Sequence, residues 1–244
     1  MAADIVATFP EHRTYVEVFG GAGWVLFRKP PSRVEVFNDI NNWLINLFLV
    51  VRDRPLEFLE RQQLLLPSRE IYMRFKREFE QDKFKDEVEK AVVFYYLIRN
   101  SYCATILGGW NFSKSRPPHM LPDRDFILSI SDRLKRVYIE SRSFSDLIPQ
   151  CDSPDTLFYC DPPYVICKSG RYYQHQFTLE EQHTQLRDLL TGIKGRFVLS
   201  YDDTPIIRKL YKGYTIHPTK KVNYSMARNP AGPKRKQELL ITNF

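Results

Sequence analysis

Tyr15 to Phe19 is a short β-branched and aromatic run that ends in Gly20-Gly21-Ala22-Gly23, with an apolar stretch, Trp24 to Phe27, behind it. Such a run, broken by glycines and resumed by apolar residues, reads as strand, tight turn, helix. A second strand, Val34 to Phe37, ends at Asn38-Asp39, and Asn41 is placed to cap a helix carrying Leu44, Ile45, Leu47 and Phe48. Strands joined through helices pair in parallel, and parallel sheets are covered on both faces. The opening of the chain therefore restricts it to an α/β architecture.

Further along, Leu56 to Leu66, Ser68 to Phe79 and Glu87 to Ile98 carry apolar residues three or four apart and read as helices, with Ile71, Phe75 and Phe79 forming one core-facing stripe. Between Arg99 and Pro122 the periodicity stops and Gly, Asn, Ser, Pro and aromatic residues take over, the composition of a long functional loop or hairpin. A helix near Asp125 to Lys135 precedes strands at Val137 to Glu140 and Thr156 to Cys160. Thr178 and Glu181 form a capping box for a helix through Leu186, Leu189 and Leu190, and Phe197 to Ser200 is the next strand. Tyr214 to Lys221 and Glu238 to Thr242, joined by a basic loop, read as a hairpin. The expected fold is a mostly parallel, Rossmann-like sheet over 1–55 and 136–244 with an antiparallel C-terminal hairpin, interrupted by a helical insertion over 56–135.

Composition excludes several classes. With 244 residues and 43% hydrophobic content the chain can bury a real core. It has no apolar run of about eighteen residues and no secretory pattern at Met1 to Pro10, so a soluble, cytoplasmic protein without a membrane partner is expected. Cys103, Cys151, Cys160 and Cys167 lack C-x-x-C spacing and have no histidines at ligand spacing, which supports neither a metal site nor a disulfide framework. A net charge of +7 favours a polyanionic partner, although many ordinary basic proteins share it.

The sharpest chemical signal is Phe158-Tyr159-Cys160-Asp161-Pro162-Pro163-Tyr164, an apolar strand running straight into Asp-Pro-Pro-Tyr. In open α/β sheets ligands sit beyond the carboxyl ends of strands, where this turn would emerge. An amine on an aromatic ring is a poor nucleophile because its lone pair is delocalised. The Asp161 carboxylate and the Pro162 carbonyl can accept both amine hydrogens, localising that lone pair and stabilising the positive charge that develops on nitrogen. Pro162 and Pro163 hold the acceptors stiffly without competing N–H donors, and Tyr164 supplies a ring on which an extruded base can stack. The same tetrapeptide also makes an ordinary surface turn.

The glycine turn, the Asp-Pro-Pro-Tyr and their order resemble the Dam-like family of DNA adenine methyltransferases. The likeness runs through Val16 to Gly23, Asn38-Asp39, Tyr96 to Asn100, Phe144 to Asp146, Phe158 to Tyr164, Phe177 to Gln182 and Gln237 to Thr242. It implies transfer of a methyl group from S-adenosyl-L-methionine to the N6 amine of adenine in double-stranded DNA. The cofactor would lie over Glu17, Phe19, Gly20, Gly21 and Gly23, with Asp39 on its ribose hydroxyls, Phe144 against its adenine ring, and Ser145 and Asp161 nearby. A Phe at 144 is equally a core residue on pattern alone.

For DNA the resemblance points to the insertion, where Arg99, Asn100, Asn111, Lys114 and Arg116 can reach bases or phosphates. Lys220, Lys221, Arg228, Lys234, Arg235 and Lys236 flank the last hairpin loop and suit phosphate contact, although charge runs are also ordinary solvated faces. The sequence departs from the family at its start: a Gly-Gly-Lys segment normally precedes the first strand, whereas here Met1-Ala2-Ala3 leads into Ile5 to Phe9, which bears on cofactor affinity more than on fold. Two other readings stay open on the residues: a catalytically weak DNA-binding relative acting as decoy or specificity partner, and the same chemistry on cytosine N4 or RNA adenine.

Overall fold

The computed structural model describes residues 2–104, 106–115, 123–163, 180–219, 222–223, 235–236 and 238–244. In chain order the elements are α1 (Ala2–Val6), β1 (Thr14–Glu17), β2 (Val34–Asn38), α2 (Asn42–Asp53), α3 (Pro55–Gln63), α4 (Arg69–Glu80), α5 (Glu87–Asn100), α6 (Arg124–Leu134), β3 (Val137–Glu140), α7 (Phe144–Cys151), β4 (Thr156–Cys160), α8 (Glu180–Gly192), β5 (Arg196–Asp202), α9 (Pro205–Leu210), β6 (Thr215–Pro218), β7 (Val222–Asn223), β8 (Arg235–Lys236) and β9 (Glu238–Thr242). Contacts divide the described residues into two compact units, one drawn from 1–40, 140–163 and 180–244, the other from 41–139.

Among the described residues one mixed sheet has the order β3-β2-β1-β4-β5-β9-β6, and β7 pairs with β8 separately. β1 is parallel to β2 and β4, and β4 is parallel to β5. β9 is antiparallel to β5 and β6, so the Rossmann-like sheet with an antiparallel C-terminal hairpin is as expected. The strand order reverses at β1, which has the next strand in sequence on one side and β4 on the other. Such a switch point opens a crevice beyond the carboxyl ends of the two strands.

β4 (Thr-Leu-Phe-Tyr-Cys) is buried at every position, the unbroken pattern of a central strand covered on both faces. On one face Val16, Val18, Phe158, Cys160, Phe197, Leu199, Leu239 and Ile241 pack with Leu147 and Ile148 of α7, Leu186 and Leu190 of α8 and Ile207 of α9. These positions alternate along each strand, as a period of two requires.

In the helical unit α5 is the centre. Val88, Ala91 and Val92 pack with Val50, Val51, Phe58, Leu59 and Ile127, while Val93, Phe94, Tyr96 and Leu97 pack with Tyr72, Phe75 and Phe79. α2 packs against α5 and α6, and Asn41 caps it as predicted, accepting from the Trp43 and Leu44 N–H groups at 3.0 and 3.3 Å. On α4 the buried stripe is Tyr72, Phe75 and Phe79, with Ile71 only half-buried in place of the expected first member.

The stretch Trp24 to Phe27 is turn rather than the expected helix. Phe27 N–H bonds Gly23 O and Lys29 N–H bonds Val25 O, each at 3.0 Å, and the pattern then stops. Pro30 and Pro31 follow; a proline lacks the N–H and bars helical φ and ψ at the residue before it, so no room remains for a helix. No helix among the described residues is long and apolar enough to cross a membrane.

Phe94 is 1% exposed with its ring 6.3 Å from that of Phe79. Phe94→Ala is expected to lower unfolding free energy by about 3–5 kcal/mol through the cavity it leaves. Urea titration followed by circular dichroism measures this, and a loss under about 1 kcal/mol contradicts the assignment of α5 as the core helix.

Candidate active site

The pairing of β1 with β4 continues one residue past the strand, where Val18 N–H donates to Tyr159 O at 2.9 Å. The chains then part, β1 into Phe19 and the glycine turn, β4 into Asp161-Pro162-Pro163. The two motifs thus leave the sheet side by side at the switch point.

The glycine turn is fixed from within. Gly20 N–H donates to Asn38 O at 2.7 Å and Gly23 N–H to Gly20 O at 2.9 Å. A Cβ on Gly20 would stand 2.3 Å from the Phe37 ring, so glycine is required here by close approach of the core. Gly21, at φ +50°, is open: a Cβ there would meet nothing within 4 Å. Its N–H donates to Asp39 Oδ2 at 2.9 Å, so the half-buried Asp39 carboxylate ties the turn to the end of β2.

Asp161 is exposed, Pro162 buried and Pro163 half-buried. Ser200, on β5, donates from Oγ to Asp161 Oδ1 at 2.9 Å. Glu17, 2% exposed at the end of β1, accepts from the Tyr15 hydroxyl at 2.7 Å. Burial pushes its carboxyl from 4.5 up to about 8, against the Tyr15 hydroxyl and Leu26 N–H that favour the charged form; the neighbouring Asp161 charge adds to the rise. Lys29 opposes the rise least, because its ammonium is already paired with Glu35 at 2.5 Å and lies over the Tyr15 ring at 4.5 Å. Burial likewise pushes the Tyr159 hydroxyl and the Cys160 thiol well up, so both stay protonated next to Asp161.

Phe144, 9% exposed, opens α7 with its ring 5.8 Å from that of Phe19, and it joins the sheet core. Half-buried Ser145 has its hydroxyl 2.7 Å from that of Ser143, the α7 N-cap. Asn38 locks these pieces together. Buried to 1% exposure, its amide donates to Val18 O at 2.9 Å and Arg142 O at 3.0 Å and accepts from Arg142 N–H at 2.8 Å. An open glycine at positive φ, two aromatic rings and a carboxylate at a strand end make a surface that fits a methyl donor bearing a nucleoside.

In the helical unit, Arg99, Asn111 and Lys114 are exposed, whereas Asn100 is buried and its side-chain amide donates to Tyr96 O at 2.9 Å. The expected loop here closes on itself: Tyr102 N–H bonds Gly109 O and Asn111 N–H bonds Asn100 O, both at 2.8 Å. It is fastened to α4 by the Tyr72 hydroxyl on Gly108 O and the Lys76 ammonium on Leu107 O, also at 2.8 Å. Tyr164, Arg116, Lys220, Lys221, Arg228 and Lys234, with the capping box at Thr178, lie outside the described residues, and Arg235 and Lys236 are described as the backbone of β8 alone.

The family model for D12 class N6 adenine-specific DNA methyltransferases matches residues 1–226. The chain belongs to that family. It is 27% identical to a type II methyltransferase of Lactococcus lactis subsp. cremoris over 96% of this chain and 87% of the relative. It is 28% identical to the retron Ec67 DNA adenine methylase of Escherichia coli over 83% of this chain and 73% of the relative. A DNA adenine methylase of Haemophilus influenzae is 24% identical over 97% of this chain and 87% of its own length. The methyltransferase therefore acts on the N6 amine of adenine in DNA and draws on a methyl donor.

Sequence reasoning missed two residues of this neighbourhood, Ser200 and the side-chain role of Asn38. The signal for Ser200 was the change from apolar to Ser-Tyr-Asp-Asp at the carboxyl end of its strand, and for Asn38 a buried amide closing an apolar strand.

Asn38→Ala leaves a buried N–H and two carbonyls without partners and is expected to cost about 2–4 kcal/mol, read as a fall in Tm; an unchanged Tm contradicts the clamp. Because the Glu17 pKa rises from 4.5 to about 8 on folding, the stability it contributes is fully present below 4.5 and is lost as pH climbs through 8. Glu17→Gln is expected to flatten that decline. Denaturation at pH 5 and pH 8 on both proteins tests it, and equal slopes in the two exclude the raised carboxyl.

Proposed function

We propose that this chain carries a methyl group from S-adenosyl-L-methionine to the N6 amine of an adenine rotated out of double-stranded DNA, with Asp161 and the Pro162 carbonyl accepting the amine hydrogens. The observation that supports this reading most is the exit of Asp161-Pro162-Pro163 beside the glycine turn, at the carboxyl ends of adjacent parallel strands.

The bound donor supplies an electrophilic methyl on a sulfonium. Glu17, Phe19, Gly20, Gly21, Gly23, Asp39, Phe144 and Ser145 form its site in this reading, with Asp39 taking ribose hydroxyls and the aromatic residues the flat base. Transfer would leave positive charge on the adenine nitrogen, beside the Asp161 carboxylate and the Pro162 carbonyl that would accept its hydrogens, and the surplus proton would pass to solvent at the exposed Asp161. Hydrogen bonds from both amine hydrogens strengthen as that charge grows, which makes Asp161 and Pro162 selective for the transition state. Burial of Pro162 makes the turn stiff before the substrate arrives. Tyr164 stacks on the extruded base, and the protonated Glu17 keeps a second negative charge away from Asp161.

Residues 1–55 and 136–244 are the catalytic part in this reading, and 56–135 the target-recognition part. Its exposed Arg99, Asn111 and Lys114 are the described candidates for bases and phosphates, joined by Arg116 in sequence. The buried Asn100 meets the loop through its carbonyl, which accepts from Asn111 N–H. The basic set from Lys220 to Lys236 contributes phosphate contacts.

Incubation with labelled S-adenosyl-L-methionine and unmethylated DNA, followed by digestion to nucleosides, is expected to place the label in N6-methyladenine. Asp161→Ala is expected to lower the rate roughly 10²-fold or more. Label that persists in the variant removes Asp161 from the chemistry, and label in cytosine or only in RNA overturns the substrate.

A further inference from the structure

Asp161 stands exposed at the end of its strand, whereas the group that holds it is rigid. Ser200 is 2% exposed and lies in β5, whose Leu199 is in register with Cys160 of β4, so the next residue of each strand, Ser200 and Asp161, meet across the pair. On its other side β5 is fixed by β9, with Ser200 opposite Leu240. The Ser200 hydroxyl donates to Asp161 Oδ1 at 2.9 Å.

The direction of this bond follows from chemistry. A carboxylate only accepts, so the single Ser200 proton points to Asp161.

We propose that Ser200 is a positioning residue for methyl transfer, its hydroxyl holding the Asp161 carboxylate in the orientation that receives the adenine amine. The proposal rests on the role of Asp161 given above. Without that donor the carboxylate loses a contact that sets its orientation, and a carboxylate turned toward another staggered position misdirects the acceptor. A loss of this kind falls on the chemical step and spares substrate binding.

The test compares full-length parent, Ser200→Ala, Ser200→Thr and Asp161→Ala in single turnovers on unmethylated genomic DNA with saturating S-adenosyl-L-methionine, alongside donor affinity, DNA affinity and Tm. Ser200→Ala is expected to slow transfer ~10- to 100-fold, with both affinities within about twofold of the parent. Ser200→Thr, which keeps the hydroxyl, restores the rate to within about threefold. In an Asp161→Asn background, Ser200→Ala adds little further loss, because the two residues act as one unit. Parental transfer by Ser200→Ala with an inactive Asp161→Ala overturns the positioning role and leaves the Asp161 reading standing; full activity in Asp161→Ala overturns both. Losses that multiply in the double variant also overturn the positioning role. Should Ser200→Ala fail to fold, Ser200→Cys, with similar volume and a weak donor, replaces it: slow transfer at near-parental Tm supports the proposal, and parental transfer sinks it.

Discussion

The rest of the molecule hangs on the parallel pairing of β1 with β4. Their register joins Thr14 to Thr156 and Glu17 to Tyr159, segments separated by most of the helical unit in sequence. Loop closure entropy grows only slowly with length, so the long intervening chain does not prevent the pairing. Once made, the pairing fixes by backbone geometry alone that the glycine turn and the Asp-Pro-Pro turn leave the sheet at neighbouring points. In the proposed reading the chemistry needs a donor and an acceptor brought together, and a ladder of main-chain hydrogen bonds would do it, independent of the side chains that bind either.

The same neighbourhood contains an electrostatic asymmetry. Glu17 and Asp161 are both acids at strand ends, yet one is buried and the other exposed. Desolvation pushes the Glu17 carboxyl up without an equal compensating cation, Lys29 being paired with Glu35. Burial thus favours the neutral form of Glu17 inside the sheet, while Asp161 stands exposed at its edge.

Much of this was legible in the residues. β3 and β4 are rich in β-branched and aromatic residues, and they fall where the sequence predicts. The helices of 56–135 announce themselves by apolar spacing, and Ser68 and Asn41 act as caps because short polar side chains satisfy the first N–H groups. The failures have physical causes. The apolar run after Gly23 has helical composition, but Pro30-Pro31 ends it before a helix can form. α7 and α9 are too short for periodicity to stand out, although Ser143 and Thr204 cap them. Chain order puts α2 after β2, but its buried residues face α5 and α6, a pairing no one-dimensional pattern encodes. Ser200 escaped because the turn to Ser-Tyr-Asp-Asp at its strand end marks polar residues there, but only the neighbouring strand shows that Asp161 lies opposite.

Gly20 offers a last lesson about how this turn can vary. Its missing side chain reads as room for a ligand, but the space is already filled by the Phe37 ring from the adjacent strand. The identity of one position is thereby tied to the bulk of another: any larger residue at 20 demands a smaller one at 37, at the expense of packing. The turn can drift only by paired steps, and its shape is inherited from the hydrophobic interior beneath it.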